Sequence, residues 1–173
     1  MKKLLFIATL SVLLFSCKEK KEDKPATTTQ VTMALPISYS SSFEMGDPAY
    51  AAMIVKGSWK DWVANDMDNM KSWVADTCVA FQANNMMTKG VDSLLAAWKK
   101  GRAAYSSCRD SVNAVMSVRS TDKKENWVLV WATAYDTKLD GTIDTSAVQE
   151  TWRINKDGKA DLLYQFDRAK RKQ

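Results

Sequence analysis

The amino-acid sequence predicts an α+β domain in which helices come first and antiparallel strands follow. Through much of the first half of the chain, apolar residues recur at every third or fourth position, which is the spacing of an amphipathic helix. Beyond Ser106 they alternate along the chain, which is the spacing of a strand. Short polar segments separate these strands, and strands joined by a short turn run antiparallel. We therefore expect N-terminal helices packed on a C-terminal antiparallel sheet.

The chain begins with the pattern of a secretory signal peptide. Two lysines precede an apolar run from Leu4 to Phe15. This run of about 12 residues is shorter than the roughly 20 that a membrane-spanning helix needs. It leads into the sequence Leu-Phe-Ser-Cys, which resembles the lipobox of bacterial lipoproteins and implies cleavage before Cys17 and acylation of that residue. The alternative is an ordinary signal peptide followed by a chance cysteine.

The segment after Cys17 has the composition of a tether. Residues 18–30 contain no large apolar side chain, so burial cannot offset the entropy lost on ordering them. Pro36 excludes a central strand in the following segment, because proline has no N–H to donate. We expect a signal peptide at 1–16, a lipid-anchored tether and extended lead-in at 17–46, and one domain at 47–173. The acyl chains make the membrane a partner and place the protein in the bacterial cell envelope, at the outer membrane, facing the periplasm or the cell surface.

The composition excludes several classes of function. With 25 basic and 20 acidic residues the chain is nearly balanced, and no basic stripe alternates with aromatic residues, so we expect no nucleic-acid partner. The chain has no histidine, which excludes Ser-His-Asp and Cys-His catalysis and histidine-ligated metals. The run from Asp136 to Gly141 is similar to a calcium loop, but Lys138 stands where an oxygen ligand belongs. We expect a hairpin turn there, no metal and no cofactor.

Three helices are predicted. Asp47 and Pro48 provide an N-cap carboxylate and a proline at the first helical position. The first helix then presents on one face Ala51, Ile54, Val55, Trp59, Trp62 and Val63. A short second helix follows Asp66 or Asp68, with its inward side chains at Met70, Trp73 and Val74. The third begins after Gly90, and Gly101 is expected to end it early. Its apolar stripe comprises Val91, Leu94, Leu95, Trp98 and Tyr105.

Five strands complete the expected domain. The strands are 77–82, 112–119, 127–135, 144–154 and 160–167, with a tight hairpin at 155–159. The 127–135 strand is apolar on both faces, so something must cover each face. The Trp131 side chain lies on one of these faces and the Val130 side chain on the other. If Val130 lies on the outer face, a charged residue there is expected to separate subunits. Cys78 and Cys108 are either a disulfide or two buried thiols.

The closing segment resembles a known superfamily. Residues 150–167 are a strand with an aromatic residue, then Asp-Gly-Lys, then a strand that ends in Asp, and Gly90-Val91-Asp92-Ser93-Leu94 opens the third helix. These motifs and the element order resemble the nuclear-transport-factor-2-like superfamily, also called SnoaL-like. The resemblance covers about residues 47–168 and implies a cone: N-terminal helices packed in the concavity of a strongly bent antiparallel sheet, with a pocket at the open end. It also implies homodimerisation through the outer face of the sheet, which agrees with the doubly apolar strand.

The residues expected at the pocket are aromatic and acidic. Seven tryptophans are either core residues or walls of a pocket for an apolar small molecule. The expected lining is Trp62, Phe81, Trp98, Trp131, Glu150 and Trp152. Because the chain has no histidine, the groups that could act as a general acid or base are a buried carboxylate or a tyrosine. The candidates are Asp76, Asp110 and Glu150, with Tyr50 or Tyr105 as hydroxyl donors.

Three functional hypotheses follow. The first is a membrane-anchored envelope lipoprotein with a non-catalytic small-ligand-binding or interaction domain. The alternative is a carboxylate-dependent isomerase, dehydratase or hydrolase acting on an apolar small molecule in the cone pocket. The third is a structural protein whose cone is filled by its own side chains. The volume and lining of the pocket distinguish them.

Overall fold

One twisted sheet organises the computed structural model, which describes residues 33–169. Its strands are β1 Phe43–Met45, β2 Val74–Phe81, β3 Met87–Lys89, β4 Tyr105–Cys108, β5 Ser111–Ser120, β6 Asn126–Lys138, β7 Ile143–Ile154 and β8 Ala160–Ala169. The strand order is β1-β5-β6-β7-β8-β2-β3, and β4 also pairs with β6. The predicted signal peptide and Cys17 lie outside the described residues. Within the described residues, no helix is long and apolar enough to cross a membrane.

The sheet is antiparallel, as predicted, at every pairing except that of β2 with β8. The four long strands β5 to β8 follow one another through short turns. Gly158 takes φ 75° in the predicted hairpin, a conformation that suits glycine. The β2–β8 pair is parallel because no hairpin joins these strands, so the chain between them leaves their directions free.

The helices pack on the concave side of this sheet. They are α1 Pro48–Ile54, a π-helical turn Val55–Lys60, α2 Asp61–Ala64, α3 Met70–Trp73 and α4 Val91–Arg102. Asp47 caps α1, since its Oδ1 accepts from the Ala49 N–H at 2.8 Å. The first helix was expected to be continuous, but the π turn widens it where Gly57 meets Trp73. A Cβ on Gly57 would lie 2.3 Å from the Trp73 ring, so only glycine permits this approach.

The core fills the space between the helices and the concave face. It includes Ile54, Met70, Trp73, Cys78, Leu94, Trp98, Val128, Val130, Trp152 and Leu163. Val130 is 0 % exposed and faces the helices, so the suggestion that it lies on the outer face is wrong. The β6 parity puts Val128, Val130 and Ala132 inside, and a charge at Val130 would disrupt the core instead of an interface. Trp127, Leu129 and Trp131 point outward and are half-buried.

The sheet bends where β4 gives way to β5. Both strands pair with β6, and the two residues between them, Arg109 and Asp110, leave the regular ladder. The Arg109 N–H still donates to the Tyr135 carbonyl at 3.0 Å. A register shift follows between Val112 and Ala114, which adds to the twist. The break turns the Asp110 side chain toward the concave side.

The lead-in before the predicted domain joins the sheet as an edge strand. β1 pairs antiparallel with β5, so Phe43 lies opposite Ser120. Ser40 Oγ donates to Asp122 at 2.6 Å, and Trp127 Nε1 donates to the Tyr39 hydroxyl at 3.0 Å. These contacts attach Tyr39 and Ser40 of the lead-in to the β5–β6 end of the sheet.

Both described cysteines are free and buried. This settles the open alternative in favour of two thiols. Burial raises the pKa of each thiol to about 12, and for Cys108 the neighbouring Asp136 adds to the rise. They therefore remain protonated and behave as small hydrophobic residues.

The outer face of the sheet carries a broad apolar surface. Trp131 and Phe166 both lie opposite Gln149, one on each side of it, so they point the same way. Phe166 is 61 % exposed, and the Phe81 ring stacks on Tyr164 with centroids 5.2 Å apart. Contiguous exposed apolar surface of this kind is typical of interfaces. The homodimer through this face stays a prediction.

We expect Phe166→Lys to convert the dimer into a monomer, because a lysine ammonium would be desolvated at the centre of the apolar face. Leu139→Lys is the matched control, since Leu139 is 73 % exposed on the β6–β7 hairpin. Light scattering coupled to gel filtration gives the mass of each protein. A monomeric parent chain, or a Phe166→Lys protein that stays dimeric, would contradict the predicted interface.

Candidate functional site

A cavity of about 400 Å³ opens at one end of the cone. Helices α2 and α4, the β2–β3 loop and strands β6 to β8 surround it. Its lining is Ser58, Trp59, Trp62, Gln82, Ala83, Asn84, Met86, Ala97, Trp98, Gly101, Ala104, Tyr105, Asp110, Ala134, Asp136, Ser146, Val148, Glu150, Gln165 and Asp167. The size is that of a pocket for a small organic molecule.

Glu150 lies at the buried end of the cavity and is only 2 % exposed. Its Oε2 accepts hydrogen bonds from Ser58 Oγ at 3.0 Å, Trp59 Nε1 at 3.1 Å and Trp152 Nε1 at 2.9 Å. Its Oε1 accepts from Gln165 Nε2 at 3.0 Å. Burial raises the pKa of Glu150, while these hydrogen bonds favour the charged form and oppose the rise. The carboxylate is therefore held in one orientation by four donors.

The local structure explains why these donors converge. Ser58 and Trp59 are consecutive residues of the π turn, and both side chains reach the same carboxylate oxygen. Trp152 follows Glu150 by two residues on β7, so the two share the inner face. Gln165 is the direct partner of Glu150 on β8. The π turn and two strands thus meet at Glu150.

Two further carboxylates lie near the break in the sheet. Asp110 lies between β4 and β5, directly before Ser111, and Asp136 lies on β6 opposite Cys108. Asp110 Oδ1 and Asp136 Oδ1 are both buried and accept no hydrogen bond, and Gln82 Nε2 is a buried donor without a partner. Burial raises the pKa of Asp110 to about 6, and the charge of Asp136 adds to the rise. All three side chains line the cavity, and these atoms are left without a partner among the described residues.

Aromatic rings form much of the remaining wall. Trp62 and Trp98 meet edge to face, with centroids 6.0 Å apart. Trp98 in turn meets Trp152, at 6.2 Å, and Trp152 meets Trp73, at 5.4 Å. These four tryptophans form a row of successive contacts that runs from the cavity wall into the core. The two interpretations of the tryptophans, core and pocket wall, therefore hold for the same residues.

Five residues singled out from the sequence line the cavity: Trp62, Trp98, Tyr105, Asp110 and Glu150. Glu150 was selected because it shares strand parity with Trp152, and the two side chains are hydrogen bonded. Asp110 reaches the cavity through the break between β4 and β5, which the sequence did not indicate.

The structure places the other expected residues elsewhere. Phe81 and Trp131 lie on the outer face, because the parity of their strands turns them away from the helices. Trp152 is completely buried beneath the cavity and reaches it only through its bond to Glu150. Asp76 is exposed on β2, and Tyr50 packs against the core beside Gly158. These five residues are removed from the expected set of lining and catalytic side chains.

Sequence reasoning missed several lining residues. Ser58 sits beside a core tryptophan, and the β2–β3 loop residues carry no periodic signal. Asp136 could have been found from strand parity. It continues the inner series of β6 after Ala132 and Ala134, and an acid at such a position on a buried strand is unusual. In residues 33–169, no group of three or more acidic or cysteine side chains is arranged to hold a metal.

No protein-family model and no curated protein matches this sequence. Solved structures do match its fold. An LEH-like epoxide hydrolase of M. tuberculosis has 12% identity and a TM-score of 0.56, with 69% of this chain and 84% of that chain covered. A Δ5-3-ketosteroid isomerase from Mycobacterium sp. has 13% identity and a TM-score of 0.55, covering 70% and 98%. A ketosteroid isomerase-like protein from Catenulispora acidiphila, in complex with trimethylamine, has 12% identity and a TM-score of 0.52, covering 65% and 83%.

These similarities show the fold. The described domain has the SnoaL-like, nuclear-transport-factor-2-like cone, with a large bent sheet and few helices. The fold class and the resemblance expected from the sequence are confirmed.

The raised pKa of Asp110 predicts a pH-dependent effect of Asp110→Asn. The folded protein binds the Asp110 proton more tightly than the unfolded chain, so the parent loses stability as pH rises from the ordinary value of 3.8 to about 6. The asparagine variant lacks this loss and should gain stability relative to the parent across that interval. Urea unfolding at about pH 4 and about pH 7 measures the difference. Asp66→Asn, an exposed change, should show no such gain, and a constant difference for Asp110→Asn would refute the assignment.

Proposed function

We propose that the protein is a lipid-anchored protein of the bacterial cell envelope whose cone domain binds a small molecule in this cavity without transforming it. The observation that carries the proposal is the open volume beside Glu150, which remains although five tryptophans pack on the concave side of the sheet. An unfilled cavity costs stability, so a purely structural domain gains nothing from it. The structural hypothesis is therefore the weakest of the three.

The fold neighbours support a small-molecule site. They include an isomerase, an epoxide hydrolase and a protein in complex with trimethylamine. All of these concern small organic molecules. A pocket at the open end of the cone is a natural place for such a molecule, because the lining combines apolar rings with a few oriented polar groups.

The state of Glu150 favours binding over catalysis. Three protein donors already occupy Oε2 and a fourth bonds Oε1, so little space is left beside these oxygens for the reacting atom of a substrate. Its fixed position suits the orientation of a ligand. The anchor rests on the lipobox resemblance at Cys17.

A second candidate function is proton transfer by Asp110. Asp110 has an unpaired buried oxygen and a pKa of about 6, close to the value that suits a general base near neutral pH. Tyr105 lines the same cavity and offers a hydroxyl. This arrangement favours the isomerase, dehydratase or hydrolase alternative. Conversion of a bound molecule, followed by NMR and lost in Asp110→Asn, would establish it.

Blocking the cavity tests the binding function. Ala104 lines the cavity and is exposed, whereas the adjacent Ala103 is exposed and does not line it. A thermal-shift screen of small fragments should yield molecules that stabilise the parent and Ala103→Trp but not Ala104→Trp, because the indole occupies their space. Fragments that bind both variants equally, or a screen in which none stabilises the parent, would count against a ligand site.

The anchor has its own test. Cys17→Ser removes the thiol that would carry the diacylglycerol, so the variant should stay in precursor form and incorporate no labelled palmitate. Labelling of cells followed by electrophoresis reads both outcomes. Undiminished palmitate incorporation in the variant would rule out lipidation at this residue.

A further inference from the structure

We propose that the ligand of this cavity is an organic cation: a small amine with a ring or alkyl body and at least one N–H on its charged nitrogen. The inference rests on the proposed binding function and names the chemical class of the ligand. Four carboxylates line the cavity, from Asp110, Asp136, Glu150 and Asp167, and no lysine or arginine does. Such a lining attracts a cation and repels an anion.

Two of these carboxylates lack the partner that an ammonium group supplies. Asp110 Oδ1 and Asp136 Oδ1 are enclosed and accept no hydrogen bond from the described residues, and both side chains line the cavity. A buried acceptor without a donor is unfavourable, and a buried carboxylate without a countercharge more so. An ammonium N–H would satisfy both needs at once. Gln82, the unpaired donor in the lining, is neutral and does not change the charge preference.

Arg102 is a positive group close enough for its charge to lower the pKa of Asp110, and it does not replace the ligand. It is 6 % exposed, donates from Nε to the Trp62 carbonyl at 3.0 Å and from Nη1 to the Tyr105 carbonyl at 2.9 Å, and does not line the cavity. Among residues 33–169, no salt bridge joins it to a cavity carboxylate. Its charge offsets part of the negative potential while the oxygens stay unpaired.

The walls fit a cation as well. Trp59, Trp62, Trp98 and Tyr105 surround the space, and the faces of such rings attract an ammonium group. A purely apolar molecule would fill the same volume but leave Asp110 and Asp136 desolvated and unpaired. The apolar guest expected from the sequence is therefore replaced by one with an apolar body and a charged nitrogen.

Three probes of similar size and different charge test the inference: 2-phenylethylamine, 2-phenylethanol and 3-phenylpropanoate. Calorimetry and quenching of the cavity tryptophans on the full protein at neutral pH give the affinities. We expect the amine to bind on the order of tenfold or more tighter than the alcohol, and the carboxylate to bind least. Asp110→Asn and Asp136→Asn should each reduce the ratio of amine to alcohol affinity, and Asp66→Asn should not.

Each outcome decides the charge preference separately from the binding function. If the alcohol binds as tightly as the amine, the proposal that the ligand is a cation is wrong, while the proposal that the cavity binds a ligand stands. If none of the probes binds, the proposal of a cationic ligand is also wrong. The fragment screen with the Ala104→Trp variant decides separately whether the cavity binds a ligand. Circular dichroism of each variant confirms folding. If Asp110→Asn and Asp136→Asn are folded and retain the full preference for the amine, the assigned oxygens are wrong.

Discussion

The carboxylate of Glu150 is the point on which the interior of this domain depends. It is only 2 % exposed, and no lysine or arginine among residues 33–169 forms a salt bridge with it, yet four side chains donate to it, from the π turn and from β7 and β8. Removing the carboxylate would leave the Ser58 hydroxyl, the Gln165 amide and two indole N–H groups without acceptors, and each such loss costs about 1–3 kcal/mol. The helices are therefore attached to the sheet by a polar cluster as well as by apolar packing. The π turn has a physical reason in this cluster, because it presents two consecutive side chains to one oxygen.

A domain selected for stability alone would not contain these groups. Replacing buried charges by apolar side chains of similar volume is often neutral or stabilising, and filling a cavity usually is as well. Here Asp110 and Asp136 retain buried oxygens that no described residue satisfies. Both lie where the partner of β6 changes from β4 to β5 and the regular ladder is interrupted. Destabilising polar groups collected at one cavity are characteristic of sites that interact with something else. The interruption is also what turns Asp110 inward, so the curvature of the sheet and the chemistry of the cavity have one origin.

The sequence predicted the features that depend on local spacing and missed those that depend on distant contacts. Helix α4 and the long strands β6 to β8 follow from periodicity, and Glu150 follows from its parity with Trp152. The π turn depends on the approach of Trp73 to Gly57, sixteen positions apart by number and unrelated by any period. The parallel pairing of β2 with β8 joins segments from opposite ends of the domain, for which no turn residue gives a signal. The sequence left open whether Val130 lies on the outer face, because both faces of its strand are apolar and only packing decides which face the helices cover.

The charge of the whole chain and the charge of the cavity point in opposite directions, and the cavity decides what binds there. The chain is basic, with a formal charge of +5, while the cavity lining contains only acidic charges. Charges on the outer surface act through water and salt, where their influence fades over about 8–10 Å. Charges that line a partly closed, ring-walled space act through a medium of low polarizability, so their effect on a guest is far larger. Net charge would suggest an anionic partner for this protein. The local arrangement of Asp110, Asp136 and Glu150 outweighs it and selects a cation.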